Sequence, residues 1–294
     1  ESGLVWYYYC LTLGEQVFYY GNNPENLGGE GCLVDGQPPG YQITVYRPCP
    51  VPPWFRHGVM YQIFVDRFYC SKEAFPPRGT GLSPGGLLHL DWSDTPFYLR
   101  GEDGGIKRWT FFGGNLAGIM EKLDYLQELG ISILYLNPIF QARSSHKYDT
   151  GDYLTIDPLY GDEAIFRELV TQAQERGISI ILDGVFSHTG ADSKYFNKER
   201  RYPTTGAYNS PASPYYSWYR FDHWPDRYAG WWNFDTLPEV DEMNPSYVAY
   251  INGPGGIVQS WLEEGASGWR LDVADELPDG FLDSLRQAVK AEKA

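Results

Sequence analysis

The sequence predicts an α/β fold organised on a parallel sheet, and three observations carry that prediction. Four compact apolar runs, beginning near residues 59, 131, 178 and 268, read as buried strands. Amphipathic stretches lie between them, and alternation of strand with helix indicates βαβ units. Long Gly-, Pro- or aromatic-rich excursions follow the first and third runs. Four strands fit either a doubly wound sheet or half of an eight-stranded α/β barrel. The excursions favour the barrel, because its functional loops extend from the C-terminal ends of the strands.

The elements follow in order. Residues 1–50 read as β structure: Gly3-Leu4-Val5-Trp6-Tyr7-Tyr8-Tyr9 is aromatic and β-branched, the stretch 21–40 is turn-rich, and Tyr41-Gln42-Ile43-Thr44-Val45-Tyr46 alternates. Two or three strands cannot close a sandwich, so this stretch is expected to be the C-terminal remnant of a β-sandwich domain. Pro48-Cys49-Pro50-Val51-Pro52-Pro53 reads as a stiff linker, with the second domain occupying 51–294. Val59-Met60-Tyr61-Gln62-Ile63-Phe64-Val65 is the first buried strand. Asn115 can cap a helix over 115–129, which Gly130 ends ahead of a second strand at 131–136. A second helix covers 162–176, stopped by Gly177, and a third strand covers 178–183. A Tyr/Trp/Pro-rich insertion at about 188–240 precedes a helix ending near Glu264-Gly265, a fourth strand at 268–273 and a last helix from Gly280.

Composition narrows the partners. A formal charge of −15 with a pI near 4.7 argues against nucleic acid and anionic membrane, and no apolar run reaches the length of a membrane span. The chain is 17% aromatic, with 24 Tyr and 10 Trp. That excess fits a carbohydrate-handling surface, since the flat C–H faces of sugar rings stack on aromatic rings. Cys10, Cys32, Cys49 and Cys70 have no metal-ligand spacing and support no particular pairing. The chain opens with Glu1 inside a strand-like run, so the native N-terminus and any targeting signal are expected to lie outside it. A cytoplasmic and a secreted location both stay open, as does oligomeric state.

Three clusters could carry chemistry. Arg270 and Asp272 lie two apart on the fourth strand and share a face, so the arginine can hold the carboxylate ionised and fix its rotamer. A carboxylate poised at a strand end suits attack on an anomeric carbon, and a structural ion pair is the other reading. In Leu182-Asp183-Gly184-Val185-Phe186-Ser187-His188, an aspartate at the strand end precedes a histidine able to donate to a sugar hydroxyl. After strand two, Asn137-Pro138-Ile139-Phe140 leads to His146-Lys147-Tyr148-Asp149, where Tyr148 can serve as a stacking platform.

Together these clusters resemble the α-amylase family of glycoside hydrolases, in its neopullulanase and cyclomaltodextrinase-like branch, over essentially the whole chain. Tyr61-Gln62-Ile63-Phe64-Val65-Asp66-Arg67-Phe68 is similar to the family's first barrel strand, Phe112-Gly113-Gly114-Asn115-Leu116 to its first helix, and residues 183–188 to its Asp-x-Val-x-Asn-His signature. Leu237-Pro238-Glu239-Val240-Asp241 resembles a motif near the end of the inserted domain B, and residues 268–272 resemble the nucleophile signature. The resemblance implies a (β/α)8 TIM-type barrel present through about its fourth βα unit, preceded by a starch-binding-like β-sandwich remnant. It implies retaining hydrolysis of α-1,4-glucosidic bonds in starch, maltooligosaccharides or related α-glucans. An α-1,6-debranching, pullulanase-like enzyme and a non-catalytic α-glucan-binding protein are the alternatives.

Residue by residue, the resemblance implies that Asp272 is the nucleophile and Arg270 its partner. His188 would bind a hydroxyl of the reacting sugar, Tyr148 would stack beneath that ring, Asp183 would support the strand-three loop and Glu276 would face the acceptor side. His146 is as readily structural as functional. Phe97, Trp109, Trp218, Trp224, Trp231 and Trp232 are candidates to line a groove.

Two departures bear on metals. Ser187 stands where the family's calcium-supporting asparagine often stands, and Asp66-Arg67-Phe68 runs into Tyr69-Cys70-Ser71-Lys72 without an Asn-Gly-Asp type loop. Hard cations need several oxygen ligands, so no cofactor and no required metal is expected, calcium being the one ion the resemblance allows. The family's general acid and third carboxylate have no counterpart in these 294 residues, which alone are expected to be inactive.

Overall fold

The computed structural model describes residues 2–48, 50–71, 81–102 and 104–292, and the chain divides into two compact units, Glu1–Pro52 and Pro53–Ala294. Glu1, Cys49 of the proline-rich linker and Lys72 lie outside the described residues.

Among its described residues the first unit holds five strands, where the sequence predicts two or three. β1 (Gly3–Tyr7) pairs antiparallel with β5 (Tyr41–Val45), while β2 (Tyr9–Leu13), β3 (Gln16–Gly21) and β4 (Cys32–Val34) form a separate antiparallel meander. The continuous aromatic run conceals the break at Tyr8, which no glycine or proline marks. Gly14, at φ 63°, makes the tight β2–β3 turn. Most side chains of these strands are exposed.

The second unit is built on four parallel strands in chain order: β6 (Met60–Ile63), β7 (Ile133–Leu136), β8 (Ser179–Gly184) and β9 (Gly268–Leu271). The order runs without the reversal that marks a doubly wound sheet. Alternation gives the sheet two faces. Leu134, Leu136, Ile180 and Leu182 join the main hydrophobic core. Gln62, Tyr135, Asp183 and Arg270 share the opposite face, since Gln62 pairs with Tyr135, Tyr135 with Ile181, and Asp183 with Arg270.

The expected helix over 115–129 is two helices, α1 (Leu116–Met120) and α2 (Leu123–Glu128), because Lys122 leaves helical geometry at φ −106° and ψ 3°. Asn115 does cap the first, accepting from the Gly118 backbone at 2.7 Å. α3 (Glu163–Glu175) is capped by Asp162 and followed by Gly177 at φ 71°. Ahead of β9 the single expected helix is again a pair, α4 (Pro245–Asn252) and α5 (Ile257–Glu263), parted by Gly253-Pro254-Gly255-Gly256. α6 (Asp279–Glu292) closes the order. The insertion is mostly irregular and folds around buried aromatics. Trp218 belongs to them, packed on Tyr195 and Tyr247, and so lines no groove. Among the described residues no helix is long and apolar enough to cross a membrane.

Candidate active site

The parallel register places β8 and β9 side by side with Asp183 opposite Arg270. Asp272 follows two residues later on the same side, and its backbone N–H still bonds to Gly184 O at 3.0 Å. Arg270 Nη1 therefore reaches both carboxylates, donating to Asp183 Oδ1 at 2.9 Å and Asp272 Oδ1 at 2.7 Å. Immediately beyond, Val273 sits at φ 42°. A β-branched residue in that region costs on the order of 1–3 kcal/mol, a strain that concentrates at functional sites.

Asp183 is the hub. The Tyr135 hydroxyl donates to Oδ2, and the Tyr148 hydroxyl donates to the same oxygen at 2.9 Å. Asn137 Nδ2 lies 3.5 Å from the Tyr148 hydroxyl, and Gln62 Nε2 donates to Asn137 Oδ1 at 2.7 Å. All four strand ends thus join one polar line. Burial pushes the Asp183 carboxyl up, while hydrogen bonds from Tyr135 and Arg270 pull against it. Burial and the neighbouring Asp183 charge push the Tyr148 hydroxyl up to about 12. Burial works to lower Arg270, but Asp183 and Asp272 outweigh it and raise the group, which stays cationic.

His188 follows β8. Its Nδ1 lies 2.9 Å from Ser187 Oγ, whereas Nε2 is buried without a hydrogen-bond partner. Burial lowers its pKa, opposed chiefly by the Asp272 carboxylate, so the ring is neutral near pH 7. An orphaned buried nitrogen is a costly feature that a substrate hydroxyl could satisfy. Trp231 stacks on the imidazole at 5.3 Å. Glu276 is exposed and reaches this region through Trp231 and Trp232, whose indole N–H groups donate to it. His146 Nδ1 accepts from the Tyr148 backbone at 3.1 Å, a contact that holds the tyrosine's turn. Trp109 meets the His146 ring edge-on at 4.9 Å. Of the other two groove candidates, Phe97 packs edge-on against His89, and the Trp224 indole donates to Ala207 O at 3.0 Å.

The structure thus brings Asp183, Arg270, Asp272 and Tyr148 into one connected network. His188 and Glu276 are linked to each other through Trp231. The sequence does not single out Tyr135 or assign Asn137 its place in the line. The signal for Tyr135 is period two: it shares a strand face with the site and is the one polar tip in the apolar run Ile133–Leu136. Among the described residues no group of three or more His, Cys, Asp or Glu is arranged to hold a metal. A cavity of about 320 Å³ lies elsewhere, lined by Gln141, Arg143, Asp192 and Tyr202 among others, and includes none of these site residues.

The family model described as alpha amylase, catalytic domain, matches residues 62–292 of this chain. An amylopullulanase of Thermoanaerobacter thermohydrosulfuricus is 41% identical across 98% of the chain, which spans 22% of that protein. Neopullulanase 2 of Thermoactinomyces vulgaris is 35% identical across 82% of the chain and 38% of its own length. Among solved structures, the type III pullulan hydrolase from Thermococcus kodakarensis superposes with a TM-score of 0.70 at 31% identity, covering 94% of this chain and 49% of that one. The chain therefore spans less than half the length of each of these relatives.

Proposed function

The chain belongs to the alpha-amylase family, and from that premise we propose that it carries the nucleophile half of a retaining α-glucan hydrolase. The observation that supports this most is Arg270 bridging Asp183 and Asp272 at the ends of adjacent parallel strands. In this reading the sheet is four strands of a (β/α)8 barrel, and the β unit before it is the end of a starch-binding-like sandwich. Asp272 attacks the anomeric carbon of an α-1,4-linked glucose, displacing the leaving sugar and forming a glycosyl ester that water then hydrolyses with net retention. Arg270 keeps the attacking carboxylate ionised, Asp183 anchors Arg270, His188 binds a hydroxyl of the reacting sugar and Tyr148 lies beneath its ring.

Retention needs a second carboxyl group roughly 5 Å from the first to protonate the leaving oxygen. Asp183 is engaged by three donors and Glu276 by two, so neither is free for that role. We therefore propose that the acid belongs on a further strand beside β9, and that these 294 residues alone bind α-glucans weakly at best and do not cleave them. Starch hydrolysis by the purified chain, abolished by Asp272→Asn, would refute this.

A second reading, cleavage of α-1,6 bonds, is favoured by the likeness to an amylopullulanase and a pullulan hydrolase. Product sizes from pullulan and from soluble starch, measured on a protein containing this chain and the rest of its catalytic domain, separate the two linkages.

A further inference from the structure

Both carboxylate oxygens of Glu276 are occupied: Oε2 accepts from Trp231 Nε1 at 2.9 Å and Oε1 from Trp232 Nε1 at 3.3 Å. One side chain thus holds two consecutive indoles. Neighbouring residues can converge in this way only where the backbone turns sharply, and Trp232 and Asn233 both occupy the left-handed region, at φ 49° and 64°. Trp232 is otherwise 71% exposed, so little besides Glu276 and the neighbouring rings restrains its side chain.

The consequence falls on His188. Its Nδ1 lies against Ser187 Oγ while Nε2 has no hydrogen-bond partner, so the orientation of the ring about its Cβ–Cγ bond rests on that one contact and on what packs against its faces. Trp231 lies against the imidazole face with ring centroids 5.3 Å apart and planes inclined by 29°. The backbone of this segment is already tied down, with Trp231 N bonded to Leu237 O and Thr189 N to Pro238 O. What remains to be fixed is the direction of the indole, and Glu276 supplies that contact.

We propose that Glu276 is a positioning residue for His188: it clamps Trp231 against the imidazole and so sets the direction from which Nε2 meets a substrate hydroxyl. This rests on the reading of His188 as a substrate-binding group. The charged and titratable neighbours of that ring include Asp272, Asp149 and His146.

The test uses the 294-residue chain and nuclear magnetic resonance of its indole N–H groups and histidine rings. Glu276→Gln keeps the shape, but its amide nitrogen cannot accept, so at least one indole is released. Hydrogen exchange at that indole should quicken roughly tenfold or more. The His188 titration, held below 6.5 by burial, should move upward. Trp231→Phe, which keeps an aromatic ring and removes the N–H, should move His188 in the same sense, and the double variant should add nothing further. An unmoved His188 in both single variants, or additive shifts, would overturn the clamp. Maltoheptaose added to the wild-type chain separates the two ideas. If it perturbs neither His188 nor Trp231, the substrate reading falls, whereas the clamp is judged by the ligand-free measurements.

Discussion

The strand-end centre and the rim beside it are held in different ways. Asp183, Arg270 and Asp272 project from paired strands, and each is fixed by hydrogen bonds whose geometry follows from the ladder register. Trp231, Trp232 and Glu276 come from irregular backbone, and Trp232 lies in the left-handed region; two side-chain contacts join them. Under the proposed mechanism, chemistry that tolerates little displacement falls on the rigid part and contacts that can vary with substrate fall on the loops.

The sharpest way to break this contrast is Asp272→Asn in a protein containing the complete catalytic domain. The chain should fold normally and lose several powers of ten in turnover, because the proposed covalent nucleophile has been removed. Retention of more than a few per cent of activity on maltooligosaccharides would contradict the assignment.

Tyr148 stands between the two regions, with its hydroxyl on Asp183 and its turn held by His146. Tyr148→Ala should lower turnover and raise the Michaelis constant together, since stacking under a distorting ring favours both ground and transition states. Unchanged steady-state constants would make Tyr148 a scaffold residue only.

A smaller effect concerns pH. Burial holds both His146 and His188 below their ordinary value of 6.5. The unfolded chain therefore binds their protons first, so their contribution to stability is full above 6.5 and is lost as pH falls through the folded values. Asp183 is raised by burial and has the opposite sign: its contribution is full below 3.8 and is lost as pH rises through its folded value. Denaturation midpoints between about pH 7.5 and 5 should thus fall less steeply in His188→Gln than in the wild type. Equal slopes would show that His188 is not the group responsible. The smallest expected effect is that of a chelator. Activity should survive it, and reversible loss restored by calcium would overturn that proposal.

The two regions also differ in how legible they are in the sequence. Asp183, Arg270 and Asp272 are readable because strand periodicity fixes which residues share a face. Tyr135 is not, because a tyrosine within an apolar strand looks like core until its partner across the ladder is known. The helix break at Lys122 and the strand break at Tyr8 are silent because neither carries a glycine or proline. Trp218 and Trp231 lie in the same aromatic-rich insertion, yet one is core and the other stacks on His188. Only tertiary packing separates them.

In the proposed mechanism the Asp272 carboxylate becomes covalently bonded to the sugar. This is tested most directly by treating a protein containing this chain and its complete catalytic domain with a fluorinated α-glucosyl fluoride that slows breakdown of the intermediate, followed by peptide mass spectrometry. One added glycosyl unit is expected on the peptide containing Asp272, and no such adduct in Asp272→Asn. A label on a different carboxylate, or turnover with inversion and no adduct, would contradict that mechanism.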